Sequence, residues 1–196
     1  SMTRHGEVEV VRSKVEFPKS VSAWAIGGTP TDCVNIALGN LLKEKPNIVL
    51  SGINIGFNTS QTLILSSGTV AGAIEGTLWD LPAMAFSQCI PDKLFERVSS
   101  AKGHLEEKLM ISLKAAAAHA AHMSLETLTD TKNLGNVINV NFPSHTDIDT
   151  EVINTVPAKL RLGKLFTETS PGKFSFCYNE GIELDSRPYT DRSVLS

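Results

Sequence analysis

The chain has 196 residues, a formal net charge of −3 and 41% hydrophobic residues. This length and composition support one sizeable hydrophobic core, so we expect a single domain over residues 1–196. Lysine and arginine are scattered rather than clustered, which argues against duplex nucleic acid as a partner. No apolar stretch approaches the roughly 20 residues of a membrane span, and we therefore expect a cytoplasmic protein without membrane contact.

The predicted elements begin with a strand or ribbon at 7–17 and a short strand at 22–26. Thr29 is then an expected N-cap, and Pro30 is the expected first residue of a helix whose apolar residues share one face. A short, β-branched apolar run at 48–50 predicts a buried strand. The chain thus starts as an alternation of strands and helix.

The alternation continues after a glycine-rich stretch. Val70, Ile74 and Leu78 recur at helical spacing and predict a helix that begins near Gly68. The later predicted elements are a strand at 83–86, an alanine-rich helix at 105–123 and a strand at 137–142. This pattern predicts an α/β fold with a mostly parallel sheet and helices on both faces.

Residues 151–196 differ in their sequence pattern from the predicted core at 1–150. They form short polar and β-prone pieces, with turn signals at 170–172 and 179–181. The apolar periodicity is too weak for a separate core, so we predict a C-terminal β-hairpin extension. An arm that cannot bury its own face commonly packs on a neighbouring subunit, which favours an oligomer.

The most reactive side chains are few and dispersed. The cysteines show no Cys-x-x-Cys pairing, so we interpret Cys33, Cys89 and Cys177 as reduced packing residues rather than zinc ligands. The histidines, interpreted as surface or packing residues, are His5, His104, His119, His122 and His145.

Residues 51–70, SGINIGFNTSQTLILSSGTV, contain no carboxylate, histidine or cysteine. Because they follow a predicted strand, we interpret them as a long loop at its carboxyl end, where open α/β sheets bind ligands. Gly52 and Gly56 allow the backbone to turn tightly and to approach a ligand. The stretch therefore suits binding rather than acid–base chemistry.

The end of this stretch predicts an anion site at a helix start. The amides of Gly68 and Thr69 would point out of the helix N-terminus, where the helix dipole favours phosphate. The alternative is purely local, with Ser67 capping the helix and the glycines serving turns. Both interpretations are open at this point.

Asn54 and Asn58 lie four residues apart in the same stretch. Their amide oxygens are hard, neutral ligands that suit Mg²⁺, Mn²⁺ or Ca²⁺. Loop asparagines more often form Asx-turns, which is the alternative. Neither residue can act as a general base or nucleophile, so activating charge has to come from another group.

Four motifs resemble one family in order and spacing, the survival protein E (SurE) family of metal-dependent nucleotide phosphatases. The motifs are GGTPTDCVNIAL, NIVLSGINIGFN, SSGTVAGAIEGTLWDLPAMAFS and VINVNFP, and the likeness covers most of residues 1–145. The resemblance implies a Rossmann-like α/β fold that hydrolyses nucleoside monophosphates with a divalent cation, Mg²⁺ or Mn²⁺. A 5′-nucleotidase is the expected activity.

The resemblance also implies roles for individual residues. Asn54 matches a metal ligand of the family, and Asn58 would face the substrate phosphate. Ser67, Gly68 and Thr69 match the Ser-Gly-Thr that lines the phosphate pocket. The implied partners are a nucleoside monophosphate and further copies of the chain, in a homodimer or homotetramer joined by arms of this kind.

Departures from the family pattern affect the metal site. The family begins with an Asn-Asp-Asp-Gly turn whose aspartates bind the metal, and a later serine completes the shell; the sequence contains neither. We therefore expect an interior portion of a longer protein and leave the catalytic residues unassigned. If the chain were complete, a non-hydrolytic nucleotide-binding module would be the alternative.

Asp32 and the segment between Asn58 and Ser67 lie in the same region of the family pattern. Asp32 either shapes the site or simply charges the first turn of its helix, and the sequence does not decide between these roles. Between Asn58 and Ser67 the chain is one residue longer than the commonest family pattern. It places Thr62 and Leu63 where the family carries an acidic residue.

Overall fold

The computed structural model describes residues 2–91, 94–95, 98, 107–129, 135–177, 181–185 and 187–195. Near the amino terminus, β1 (Val10–Arg12) and β2 (Trp24–Ile26) pair as an antiparallel ribbon separate from the main sheet. The guanidinium of Arg12 lies over the Trp24 ring at 4.6 Å from its centroid. The strand expected at 22–26 is confirmed. Of the strand or ribbon expected at 7–17, only β1 pairs with another strand.

Helix α1 (Pro30–Ile36) begins as the sequence predicts. Thr29 is its N-cap, Pro30 occupies the first turn, and Asp32 completes a capping box with Thr29. The helix continues as a π-helical turn over Ala37–Leu41.

The main sheet contains three parallel strands, with β4 in the middle. They are β3 (Val49–Ile55), β4 (Ala83–Gln88) and β5 (Val137–Phe142). Every residue of β4 is buried, because a strand flanks each of its edges and side chains cover both faces. The three predicted strands are confirmed, although β3 is longer than expected and continues to Ile55.

The long loop expected at 51–70 is wrong. Its first part belongs to β3, and α2 (Ser60–Ser66) and α3 (Gly68–Thr77) occupy most of the remainder. Helix α2 has no side-chain N-cap of its own. Its first amide donors instead reach acceptors far along the chain, which a local sequence pattern does not reveal.

Helix α3 begins at Gly68 as predicted, but its apolar spacing does not mark its buried face. Val70 is buried, whereas Ile74 is 46% and Leu78 is 73% exposed. The inner face is made instead of small residues and one carboxylate. Its buried residues are Val70, Gly72, Ala73, Glu75 and Gly76.

The glycines let α3 lie very close to its neighbours. A Cβ built on Gly76 would lie 2.6 Å from Cβ of Val49 on β3, and one on Gly72 would lie 3.2 Å from Cβ of Pro30 on α1. Between these glycines, the Glu75 carboxylate accepts hydrogen bonds from Asn35 Nδ2 at 2.8 Å and from Trp79 Nε1 at 3.0 Å. The absence of side chains at Gly72 and Gly76 therefore allows the close approach of α3 to α1 and β3.

Helix α4 (Glu107–Thr129) covers the opposite face of the sheet. Met84 and Phe86 of β4 form a core cluster with Ala116 and Ala120 of α4, whereas Ala83 and Ala85 belong to the cluster on the α3 side. Helices on both faces are thus confirmed. The helix extends beyond its predicted end at 123, and residues 105–106 lie outside the described residues.

The C-terminal segment contains small antiparallel pairs. They are β6 (Leu160–Arg161) with β9 (Ile182–Glu183), and β7 (Phe166–Ser170) with β8 (Lys173–Phe176); α5 (Asp191–Leu195) follows. The predicted hairpin extension is confirmed, with its turn at 171–172. The turn expected at 179–181 lies largely outside the described residues. Division into a core at 1–150 and an arm at 151–196 stays a prediction.

Two other expectations can be compared with the fold. No disulfide joins the three cysteines, and Cys177 is exposed, so its interpretation as a packing residue is wrong. Within the described ranges, no helix is both long and apolar enough to cross a membrane.

The α3 contact gives a first prediction, because alanine normally stabilises a helix by about 1 kcal/mol relative to glycine. We expect Gly76→Ala to lower the free energy of unfolding by about 2 kcal/mol instead, since the new methyl group overlaps Val49. Urea denaturation measures this difference. Gly39→Ala is the control, because its Cβ would lie 3.4 Å from the Trp79 ring, at ordinary contact distance. Equal effects of the two substitutions would contradict the close-approach argument.

Candidate functional site

Polar residues form a row across the carboxyl edge of the main sheet. Asn54 of β3 is the register partner of Ser87 on β4, and Ser87 is the register partner of Asn141 on β5. A register shift in β3 between Ser51 and Asn54 accompanies this pairing. The carboxyl ends of parallel strands are where sheets of this kind bind ligands. The row is therefore the centre of the candidate site.

Asn58 is held against this row by both its side chain and its backbone. Its Nδ2 donates to Ser87 Oγ at 2.5 Å, and its backbone N–H donates to Asn141 Oδ1 at 2.7 Å. Its carbonyl oxygen accepts from Asn139 Nδ2 at 2.8 Å. The side chain thus bonds a residue 29 positions away, which is not the local bond of an Asx-turn. The structure brings Asn58 and Asn54 together around Ser87.

Asn54 is half-buried, and its side-chain amide forms no hydrogen bond with the described part of the chain. Gly56 makes room for it, because a Cβ built there would lie 3.3 Å from Asn54 Nδ2. Gly56 also has a φ of +135°, a conformation that side-chain-bearing residues rarely adopt. The Asn54 amide is therefore available to a ligand.

The start of α3 is the second part of the site. Ser67 is its N-cap and its Oγ accepts the Val70 N–H at 3.1 Å, so the capping interpretation is confirmed. The first N–H groups of a helix, here those of Gly68 and Thr69, have no acceptor within the helix. Capping does not exclude phosphate binding, because the Ser67 hydroxyl keeps its own hydrogen to donate.

Helix α2 separates the two parts. It begins two residues after Asn58 and ends one residue before Ser67. A helix of seven residues is about 10 Å long. The position and direction of α2 therefore determine how far Asn58 lies from the start of α3 and in which direction.

Asp32 is occupied by structural hydrogen bonds. Its Oδ1 accepts the Thr3 backbone N–H at 2.9 Å, and its Oδ2 accepts the Thr3 hydroxyl at 2.6 Å and the Thr29 backbone N–H at 2.8 Å. These bonds, that of the Thr3 hydroxyl above all, hold the pKa of Asp32 well below its usual range. Asp32 is thus the first-turn carboxylate of α1 and part of its capping box, while a role in shaping the site stays a prediction.

The described residues of the site supply only one of the ligands that a bound metal ion needs. Among the described residues, no three histidine, cysteine, aspartate or glutamate side chains come together in a way that could hold an ion. His119 contacts the Asp147 carbonyl at 2.7 Å, and His122 pairs with Glu126 at 3.3 Å. The Asn54 amide oxygen suits a hard cation as a single neutral ligand.

Sequence reasoning missed four residues that support this site. Ser87, Asn139 and Asn141 had a detectable signal, since each is a polar residue within or directly after an apolar run predicted as a strand. Asp191 had none, because it accepts a hydrogen bond from a backbone amide 131 positions away.

Comparison with known proteins bears on these residues. The family model described as survival protein SurE matches residues 1–163. The chain belongs to the SurE family. The family match covers both parts of the candidate site and the three strands that carry them.

Curated relatives agree over shorter segments. A protein of Prochlorococcus marinus strain MIT 9211 is 50% identical over 86 residues, which cover 44% of this chain and 32% of the relative. One of Methanosarcina acetivorans is 33% identical over 132 residues, covering 67% of this chain and 48% of the relative. Both relatives are described as 5′-nucleotidase SurE. The chain therefore matches between about a third and a half of their length.

A solved structure supports the fold. The crystal structure of the SurE protein from Aquifex aeolicus is similar with a TM-score of 0.63 and 23% identity. The match covers 100% of this chain and 71% of that one. The mostly parallel, Rossmann-like architecture is thereby confirmed.

The hydrogen bonds of Asp32 give a pH-dependent prediction. A carboxylate with a lowered pKa contributes stability above its unfolded pKa of about 3.9 and loses it as the pH falls toward the folded value. We therefore expect Asp32→Asn to lower Tm by a constant amount above about pH 5, and by less at each step below about pH 4. Thermal melts of both proteins between pH 2 and pH 8 measure this, and a Tm difference that grows on acidification would contradict the capping role.

Proposed function

We propose that this protein is a phosphomonoesterase that hydrolyses nucleoside monophosphates to nucleoside and phosphate with a divalent cation. The observation that carries the proposal is the pair of hydrogen bonds that fix Asn58 to Ser87 and Asn141, close to the available amide of Asn54. This arrangement occurs in a chain of the SurE family. A 5′-nucleotidase is favoured because the curated relatives bear that description. The same description disfavours a non-hydrolytic binding module.

The phosphate would be bound by uncharged donors. One hydrogen of the Asn58 amide is used by Ser87, which leaves the second hydrogen for a phosphate oxygen. The N–H groups of Gly68 and Thr69 and the Ser67 hydroxyl supply further donors at the positive end of the α3 dipole. Donors fixed in this way stabilise the charge that develops on the phosphoryl oxygens during transfer.

A cation is expected because the described site residues are neutral and the substrate is an anion. Asn54 would contribute one amide oxygen to it, and we propose Mg²⁺ or Mn²⁺ because such an oxygen is a hard ligand. When bound, a cation of this kind polarises a phosphoryl oxygen and lowers the pKa of a bound water. In this arrangement Asn54 binds the cation and Asn58 orients the phosphate. Neither residue exchanges a proton.

The metal role of Asn54 is testable in the whole protein. We expect Asn54→Ala to raise the Mn²⁺ or Mg²⁺ concentration needed for half-maximal phosphate release by about 10- to 100-fold, because an oxygen ligand is lost. Tm without metal should stay near the wild-type value, since no hydrogen bond to the described residues is broken.

Asn40→Ala is the matched control, because Asn40 is an exposed asparagine in the π-helical turn. It should leave the metal titration unchanged. Wild-type activity of Asn54→Ala at limiting metal would reject the ligand role.

We also propose that the β7–β8 hairpin joins copies of the chain in a homodimer or homotetramer. Phe166, Phe174 and Phe176 are 58%, 62% and 62% exposed, and the register of the hairpin puts them on one face. The Phe166 and Phe176 rings contact edge to face at 5.7 Å. An aromatic face of this kind is typical of a protein interface.

Replacing all three phenylalanines with serine should therefore shift the protein toward monomer at micromolar concentration, as measured by light scattering. The substitutions should barely affect Tm of the monomer, because every residue of β7 and β8 is exposed. Phe17→Ser is the control, since Phe17 is 51% exposed outside the hairpin. A wild-type protein that is strictly monomeric would overturn the proposed assembly.

A further inference from the structure

Helix α2 is held at its N-terminus by the C-terminal segment. The Ser60 N–H donates to Asp191 Oδ2 at 2.7 Å, and the Gln61 N–H donates to the Ala158 carbonyl at 2.9 Å. The Thr62 hydroxyl donates to the Leu160 carbonyl at 2.9 Å. These contacts replace the local N-cap that the helix lacks.

Asp191 is the only charged group among these contacts. It is 9% exposed, and its second oxygen, Oδ1, accepts the Ala158 N–H at 2.9 Å. Its own N–H donates to the Val156 carbonyl at 3.0 Å. The carboxylate thus joins the start of α2 to the chain at Ala158, and its charge lies at the positive end of the α2 dipole.

The contacts of Asp191, Ala158 and Leu160 with the start of α2, together called the tether, hold residues next to the candidate site. Asn58, Thr59 and Ser60 are consecutive and are 7%, 1% and 0% exposed. Beyond them, α2 leads directly to Ser67. A displacement of the start of α2 would therefore move the Asn58 amide relative to the start of α3.

We propose that Asp191 is a positioning residue for the phosphate-binding groups, which it serves by fixing α2 between Asn58 and Ser67. The inference rests on the proposed function for the identity of the ligand, a phosphomonoester. The tether itself rests only on the contacts above. Misplacement of a binding group by about 1 Å is sufficient to reduce turnover by about 100-fold.

Asp185 provides a matched control. It also accepts hydrogen bonds in the C-terminal segment, from the Lys159 N–H at 3.3 Å and from the Arg187 N–H at 3.1 Å, and it pairs with the Arg187 guanidinium. Among the described residues it makes no hydrogen bond or ion pair with α2. A variant at Asp185 therefore reports what general loosening of this segment does.

The first measurement is hydrogen exchange of peptides that cover residues 58–66. We expect Asp191→Ala to accelerate exchange there by about 10-fold or more, because the Ser60 amide loses its acceptor. Asp185→Ala should leave these peptides at the wild-type rate. Unchanged exchange in Asp191→Ala, or equal acceleration in both variants, would overturn the tether.

The second measurement separates binding from metal loading in the whole protein with Mn²⁺. Asp191→Ala should raise KM for a nucleoside monophosphate and the inhibition constant of inorganic phosphate by about 10-fold or more. The Mn²⁺ concentration for half-maximal activity should not change. A purely structural role would instead lower the amount of active protein while KM and the inhibition constant stay at wild-type values.

Asp191→Asn is the second variant in case Asp191→Ala does not fold. Its amide oxygen can accept one of the two backbone N–H groups, whereas its NH₂ group opposes the other, so we expect a smaller change in the same direction. An Asp191→Asn protein with wild-type exchange and KM would overturn the proposal. If the wild type releases no phosphate, the proposed function fails, while the exchange comparison decides the tether independently.

Discussion

The burial of β4 on both faces is the constraint on which the remaining structure depends. On one face its alanines allow α3 to approach, and on the other Met84 and Phe86 pack against α4. A strand fixed from both sides places its last residues reproducibly. Ser87 is one of these residues, and it bonds the Asn58 side chain. The rigid core thereby fixes the side chain of Asn58, a proposed phosphate-binding group.

Close packing around α3 likewise fixes the position of this helix relative to the sheet. Gly72 and Gly76 bring the helix against α1 and β3, and Gly68 at its start lies against Pro30 of α1. Larger residues on this face would move the helix outward. The exposed Ile74 and Leu78 do not hold the helix in place, whereas Val70 and Ala73 are buried in the core cluster on this side of the sheet. The missing Cβ atoms at Gly72 and Gly76 allow the helix backbone to come this close.

The candidate site is built from amides and hydroxyls, and those around Asn58 are hydrogen-bonded to one another. Asn139 and Asn141 bond the backbone of Asn58, so they can orient this proposed binding group without touching a ligand. Such a network is rigid when its members are paired. In the proposed function it would bind the phosphate by directed hydrogen bonds and provide no net charge, which is why a cation accompanies the proposed chemistry.

The sequence by itself determined the strands of the parallel sheet, the capped start of α1, the start of α3 and the hairpin turn, because local residues specify each of them. It also indicated Asn54, Asn58 and the Ser-Gly-Thr step as candidate binding groups. Only the tertiary structure decided that α2 replaces a loop, that Gly72 and Gly76 lie on the inner face of α3 and that Asp32 belongs to a capping box. It also brought Asp191 to the start of α2, 131 positions away. The physical reason is that caps, close approaches and buried hydrogen bonds depend on partners distant in sequence, whose positions no local periodicity encodes.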